Sequence, residues 1–290
     1  MAHLTRRAVV TTALATAAAG ALVPAQAATA APVRRRGPRP LGQAHAHNDY
    51  LHPRPLLDAL AHGFTSVEAD VFLVDGELLV AHEPAALDPS RTLTSLYLDP
   101  LSELIRANHG TVYAGHRSPL RLLIDIKADG AAAYHALDQV LRRHHGMLTR
   151  SVGGRVHAGA VTPVVSGDRA ARAPMEAQPI RYAFYDGRLD DLGGAAPASF
   201  APLVSADWTK YFAWRGTGPF PAAERRHLRT LVGAAHREGR RVRFWATPDT
   251  AGPARDAVWA ELLAAGVDHL NTDDLAGLEA FLRQRDGGRP

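Results

Sequence analysis

From residue 41 onward one unit recurs eight times: a short β-type run that turns polar at its C-terminal end, then a longer stretch with helical spacing. The runs are 41–47, 66–73, 121–127, 160–167, 180–187, 201–208, 241–248 and 267–274. Such alternation predicts parallel βα units, because a strand entered through a helical crossover returns in the direction of its predecessor. The intervening helix candidates end at glycine: RPLLDALAHG at Gly63, AAYHALDQVLRRHHG at Gly146, AERRHLRTLVGAAHREG at Gly239, and ARDAVWAELLAAG on the same plan. Glycine is the usual stop because it adopts the left-handed conformation without steric penalty. Eight such units over about 250 residues match a (β/α)8 TIM barrel, and the glycine-rich phosphate loop expected after the first strand of a doubly wound sheet is absent. The expected fold is α/β: a single-domain TIM barrel over residues 41–290.

The segment before the barrel reads differently. Arg6 and Arg7, an Ala/Val/Leu stretch and the small residues around Ala25-Gln26-Ala27 have the layout of an export signal, expected over residues 1–30. Thr5-Arg6-Arg7 is compatible with a twin-arginine signal as well as a Sec signal. Residues 31–40 read as a basic, proline-flanked linker, and the expected location is secreted. There is no cysteine, which removes a thiol nucleophile and any thiolate metal site. Residues 1–40 hold six arginines and no acid, so the formal charge of +4 leaves +4 − 6 = −2 for the remainder. That balance argues against nucleic acid as a partner, and at most peripheral membrane contact is expected of a monomer.

In a barrel the C-terminal strand ends converge on one face. Here they supply His47-Asn48, Glu68 and Asp70, Asp125 and Lys127, Ser166, Asp186, Ser205 and Asp207, Trp245 and Asn271. Side chains alternate along a strand, so Glu68 and Asp70 face the side opposite Val67, Ala69 and Val71. Two carboxylates that close repel unless a cation lies between them, which points to a metal site. The same parity puts Asp125 with Lys127, and His45 with His47. Lys127 stands out because the chain has only two lysines, Lys127 and Lys210, among 33 basic residues. A compact point charge is favoured where arginine is otherwise the default. VDGELLVAHEP predicts a turn at Asp75-Gly76 and a short returning strand that presents His82 towards His47, a pairing suited to general base and general acid.

With these residues in place the sequence resembles the phospholipase C-like phosphodiesterases, the superfamily of glycerophosphodiester phosphodiesterases, phosphatidylinositol-specific phospholipases C and sphingomyelinases D. The resemblance spans residues 42 to 127 well. It implies that His47 is catalytic and Asn48 a metal ligand, that Glu68-x-Asp70 is the metal pair, and that His82 is the second catalytic histidine. It further implies that Asp125 is a third acidic ligand, that Lys127 binds phosphate, and that Trp245 and Asn271 are late pocket residues. HAHNDY, SVEADV, RTLTSLYLDPL and HLNTDDL most closely resemble the branch that includes fungal altered-inheritance-of-mitochondria proteins. The His-Arg-Gly and Pro-Glu-Asn pattern of glycerophosphodiesterases is replaced by His-Asn-Asp and His-Pro-Arg-Pro. A register shifted by two residues would make His45 rather than His47 the base; Asn48 directly after His47 favours His47.

The oxygen donors Asn48, Glu68, Asp70 and Asp125 select one hard cation, Mg²⁺ or Ca²⁺. The expected function is a secreted phosphoric diester hydrolase acting on a small-molecule or lipid phosphodiester, a place in lipid metabolism. Two other readings are open. His45-Ala-His47 could be the His-x-His of a zinc amidohydrolase, although the middle runs contain no histidine. Alternatively AFYDG, DWTKYFAWRG and FWATP could form an aromatic surface of a non-catalytic lipid- or glycan-binding barrel. The Gly-, Pro- and aromatic-rich segment 188–224 is expected to shape the pocket.

Overall fold

The computed structural model describes Met1 and residues 37–286; the expected export signal and most of the linker lie outside the described residues. In chain order the elements are β1 (Leu41–Ala46), α1 (Leu57–Ala61), β2 (Phe64–Val74), β3 (Glu77–Val80), α2 (Asp99–Ala107), β4 (Leu120–Ile126) and α3 (Gly130–Arg143). There follow β5 (Arg150–Val152), β6 (Arg155–His157), β7 (Val161–Gly167), α4 (Arg172–Glu176), β8 (Ile180–Arg181), β9 (Phe184–Gly187), β10 (Leu203–Asp207) and α5 (Trp208–Tyr211). The chain ends with α6 (Ala222–Arg237), β11 (Arg241–Trp245), α7 (Pro253–Ala265), β12 (His269–Thr272) and α8 (Leu275–Asp286).

Eight strands form one parallel sheet in the order β1-β2-β4-β7-β9-β10-β11-β12. It closes because β1 pairs in parallel with both β12 and β2. The TIM barrel expected from the alternation is therefore present.

The apolar side of the alternation makes the core between strands and helices. Val67, Ala69 and Val71 of β2 and Leu122, Ile124 and Ile126 of β4 are fully buried against Tyr134, Leu137 and Leu141 of α3. Inside the barrel the apolar filling is a small plug of Leu123, Val164, Phe184 and Leu203. Above and beside it the interior is polar, with His45, Ser66, Glu68, Asp186, Ser205, Arg243 and His269 all buried. Buried polar groups are tolerated only when partnered, so this interior must be organised by hydrogen bonds and ion pairs.

Most of the predicted elements are present, the Asp75-Gly76 turn among them, with two differences. The fifth run does not enter the barrel until Phe184; its start, Ile180–Arg181, pairs instead with β5 in a small three-stranded sheet. Arg181 is held there, donating to the Ser199 carbonyl at 2.6 Å with its guanidinium 4.9 Å from the Phe200 ring centroid. Helix α3 stops at Arg143, and Gly146 falls in a following 3-10 turn. Asp75 and Gly76 both have positive φ, 50° and 85°, which closes the β2–β3 hairpin with Val74 opposite Glu77. Two positive φ values at a two-residue connection suit the right-handed twist of the flanking strands.

Candidate active site

Strand β2 delivers the first two acids as its parity requires: Glu68 and Asp70 point into the barrel and are 4% and 1% exposed. Strand β4 runs beside it with Asp70 opposite Asp125. One oxygen from each of Glu68, Asp70 and Asp125 can be chosen so that all three lie within 4.8 Å of one another. Gly167, at the end of the neighbouring β7, admits Asp125 because it lacks a side chain; a Cβ there would come within 2.6 Å of Asp125 Oδ1.

These acids are held by different partners. Glu68 Oε2 accepts from Arg243 Nη1 at 2.6 Å and lies 3.1 Å from His45 Nε2. Burial opposes ionisation of Glu68, but the Arg243 guanidinium and the His45 hydrogen bond outweigh it and hold the carboxyl well below its usual range. Asp70 Oδ2 is met by the Tyr50 hydroxyl at 2.6 Å, His82 Nδ1 at 3.0 Å and Lys127 Nζ at 2.7 Å. Its other oxygen, Oδ1, is buried with no hydrogen-bond partner among the described residues. Burial pushes Asp125 up to about 6, with Lys127 opposing and the Glu68 and Asp70 charges adding to the rise. An orphaned buried carboxylate oxygen inside an all-oxygen set of three acids fits a hard divalent cation, whose charge would relieve both the orphan and the repulsion.

The acids open onto a cavity of about 200 Å³ whose walls include His47, His82, Lys127 and Trp245. Each histidine is anchored through Nδ1 by an acid: His47 to Asp273 Oδ1 at 2.8 Å, and His82 to Asp70 Oδ2 at 3.0 Å. That leaves Nε2 of both rings as the atom available to chemistry. Burial lowers the His47 pKa, but the hydrogen bond to Asp273 outweighs it and the net shift is upward. Burial also opposes the Lys127 charge and is outweighed by Asp125 and Asp70, so the ammonium is retained. A larger concavity of about 500 Å³, bordered by Ile105, Arg117 and Met147, lies at the opposite end of the barrel; no carboxylate lines it among the described residues.

Four of the predicted residues are not at the cavity wall: Asp70, which lies behind Lys127 and His82, and His45, Asn48 and Asn271. His45 is 1% exposed, with Nδ1 at 2.7 Å from Ser66 Oγ and Nε2 engaged by Glu68. Burial and the Arg243 charge lower its pKa to about 4. With both nitrogens engaged beneath the site, His45 does not reach the cavity that His47 lines. Asn48 directs Nδ2 towards Asp273 at 3.2 Å and its Oδ1 lies 2.7 Å from the Tyr50 hydroxyl oxygen, so it braces the loop after β1 beside the acids. Asn271 is buried and accepts from Arg243 Nη1 at 3.0 Å.

Sequence reasoning missed Tyr50, Asp273, Arg188 and Arg243. Arg188, Ser166 and Arg243 complete the cavity wall. His45 and His47 turn to different partners, so no His-x-His chelate forms. Trp208, Phe212, Trp214 and Phe220 are core residues, Phe244 is fully buried, and of the aromatic segments only Trp245 is exposed.

The barrel and this arrangement at its mouth define a phosphodiesterase-type (β/α)8 fold. The family described as AIM6-like phosphodiesterase domain matches residues 39–186, and the glycerophosphoryl diester phosphodiesterase family matches residues 241–276. The chain belongs to the AIM6-like phosphodiesterase domain family. It is 30% identical over 261 residues to altered inheritance of mitochondria protein 6 homolog of Arthroderma benhamiae, covering 82% of each chain. It is also 30% identical to altered inheritance of mitochondria protein 6 of Eremothecium gossypii, covering 83% of this chain and 69% of that one. A solved glycerophosphoryl diester phosphodiesterase from Parabacteroides distasonis superposes with a TM-score of 0.49 at 13% identity, covering 86% of this chain and 88% of that chain.

Proposed function

We propose that this chain is an exported, monomeric phosphoric diester hydrolase that uses one Mg²⁺ or Ca²⁺ ion to cleave a small-molecule or lipid phosphodiester. The observation that carries the reading is the cluster of three carboxylate oxygens within 4.8 Å, opening on a cavity walled by two histidines that are each held through Nδ1. Glu68, Asp70 and Asp125 would hold the ion, with Asn48 in reserve beside them. Bound there, a divalent cation neutralises the negative charge that builds on phosphate in the transition state.

The remaining steps belong to the side chains. His47, with Nδ1–H donated to Asp273, presents the Nε2 lone pair and takes the proton of the attacking hydroxyl as its oxygen bonds to phosphorus. The attacking group is water or a neighbouring alcohol of the substrate. His82 in its imidazolium form gives its Nε2 proton to the departing oxygen as that P–O bond breaks. The two rings then re-exchange protons through solvent, so atoms and charge balance over a turnover. Lys127 contributes a compact positive charge to the phosphate side of the cavity.

Phosphorus NMR of a panel of lipid and glycerol phosphodiesters, with the mature protein and added Mg²⁺ or Ca²⁺, tests the proposal. Expected are new monoester or cyclic diester signals, lost with EDTA, with His47→Ala and with His82→Ala while the fold is retained. Turnover that survives both substitutions would refute it.

A further inference from the structure

Arg243 lies at the centre of the polar barrel interior, 3% exposed, on the strand that faces Lys127 across the barrel: β11 is four places from β4 in the closed order of eight. Two of its three nitrogens are committed to the protein. Nε donates to Ser205 Oγ at 3.2 Å, and Nη1 lies 2.6 Å from Glu68 Oε2, 3.0 Å from Asn271 Oδ1 and 2.8 Å from His45 Nε2. Nη1 carries two protons for these three neighbours, so its donors are all committed inside the barrel. The third nitrogen, Nη2, has no hydrogen bond among the described residues, and it is not among their fully enclosed unpartnered atoms. Arg243 borders the cavity shared with His47, His82 and Lys127.

A planar guanidinium fixed on two edges presents its remaining edge in one direction only. Arg243 lines the space in which the proposed reaction would take place, and Nη2 is its one nitrogen without a protein partner among the described residues. We propose that Arg243 is a substrate-contacting catalytic residue, with Nη2 donating to a non-bridging phosphoryl oxygen while Nη1 keeps Glu68 oriented. The phosphate is thereby gripped from two opposite walls, by Lys127 and by Arg243. The donor is preorganised by Glu68, Asn271 and Ser205, so it need not reorganise as charge develops. This rests on the phosphodiesterase reading for its catalytic part, but anion contact by Nη2 can be measured without turnover.

The test uses wild-type protein, Arg243→Lys and Arg243→Gln. Lysine keeps a cation for Glu68 but has no second edge. Inorganic phosphate binding by calorimetry should weaken at least about tenfold in Arg243→Lys while Mg²⁺ affinity is retained. Removal of one preorganised donor costs about 10² to 10³ in kcat, and the preference between the two phosphorothioate diastereomers of a chiral nitrophenyl diester should collapse. Unchanged phosphate affinity in Arg243→Lys, or a loss of turnover matched by an equal loss of Mg²⁺ affinity, would reduce Arg243 to an anchor for Glu68 and overturn the proposal. If neither variant folds, wild-type crystals soaked in phosphate decide: an oxygen within about 3 Å of Nη2 supports the contact, and its absence removes it. If wild type cleaves no diester the hydrolase reading falls, whereas the phosphate and crystal measurements still judge Arg243.

Discussion

Neutralising Glu68 by Glu68→Gln leaves the Arg243 guanidinium buried opposite an uncharged amide, in a place where both side chains are about 5% exposed or less and 2.6 Å apart. Removing one member of such a pair costs about 3–5 kcal/mol, because the surviving charge cannot be rehydrated. Glutamine retains an acceptor oxygen for Arg243 and His45, which puts the expected loss near the lower end, about 3 kcal/mol. For a chain of this size that corresponds to a fall of about 6–12 °C in melting temperature. Urea denaturation in EDTA isolates the pair from any bound ion, and the cycle with Arg243→Gln should show a coupling of about 2 kcal/mol or more. The pH dependence has a definite sign. The folded carboxyl is depressed, so its stabilisation is present above the unfolded pKa and is lost as pH falls through the folded one, in strongly acid solution. A single-variant loss below about 0.5 kcal/mol in EDTA, in the range of a surface substitution, would refute the reasoning that this pair organises the interior.

Two further outcomes follow from the site. Asp273→Ala removes a charge-assisted hydrogen bond from His47; with the Asp273 side chain 54% exposed the bond is worth about 1 kcal/mol, or about fivefold in kcat. Because Asp273 raises the His47 pKa, the acid limb of the pH–rate profile should move to lower pH, and an unmoved limb would contradict His47 as the base. Burial pushes the Asp125 carboxyl up to about 6, so divalent-ion affinity measured by calorimetry should weaken by up to about tenfold for each pH unit below that value; an affinity independent of pH between 5 and 7 would remove Asp125 from the ligand set.

The strand ends were legible because a parallel barrel imposes a strict rule: polar groups at inward parity near a C-terminal end meet at one mouth. Glu68, Asp70, Asp125 and Lys127 follow from that rule alone. So does Arg243, two residues before Trp245 and on the same parity, but in a chain with 33 basic residues an arginine on a strand attracts no notice. Asp273 could have been found by closure: the eighth strand lies beside the first, which brings the acid after β12 to His47 after β1. Tyr50 had no such signal, since its hydroxyl reaches Asp70 and His82 from a single 3-10 turn after β1, too short to show periodicity. The demotion of His45 is likewise invisible to parity, which sets the face a side chain takes but not its depth. Depth depends on barrel stagger, and that places His45 level with Ser66 beneath the acids.

The account stands on one divalent ion held at the barrel mouth, and anomalous diffraction from crystals soaked in Mn²⁺ tests it most directly. One strong peak is expected about 2.0–2.4 Å from oxygens of Glu68, Asp70 and Asp125, with His47 and His82 on either side of the adjoining space. No peak at these carboxylates in well-soaked crystals, or a peak held elsewhere on the chain, would contradict it.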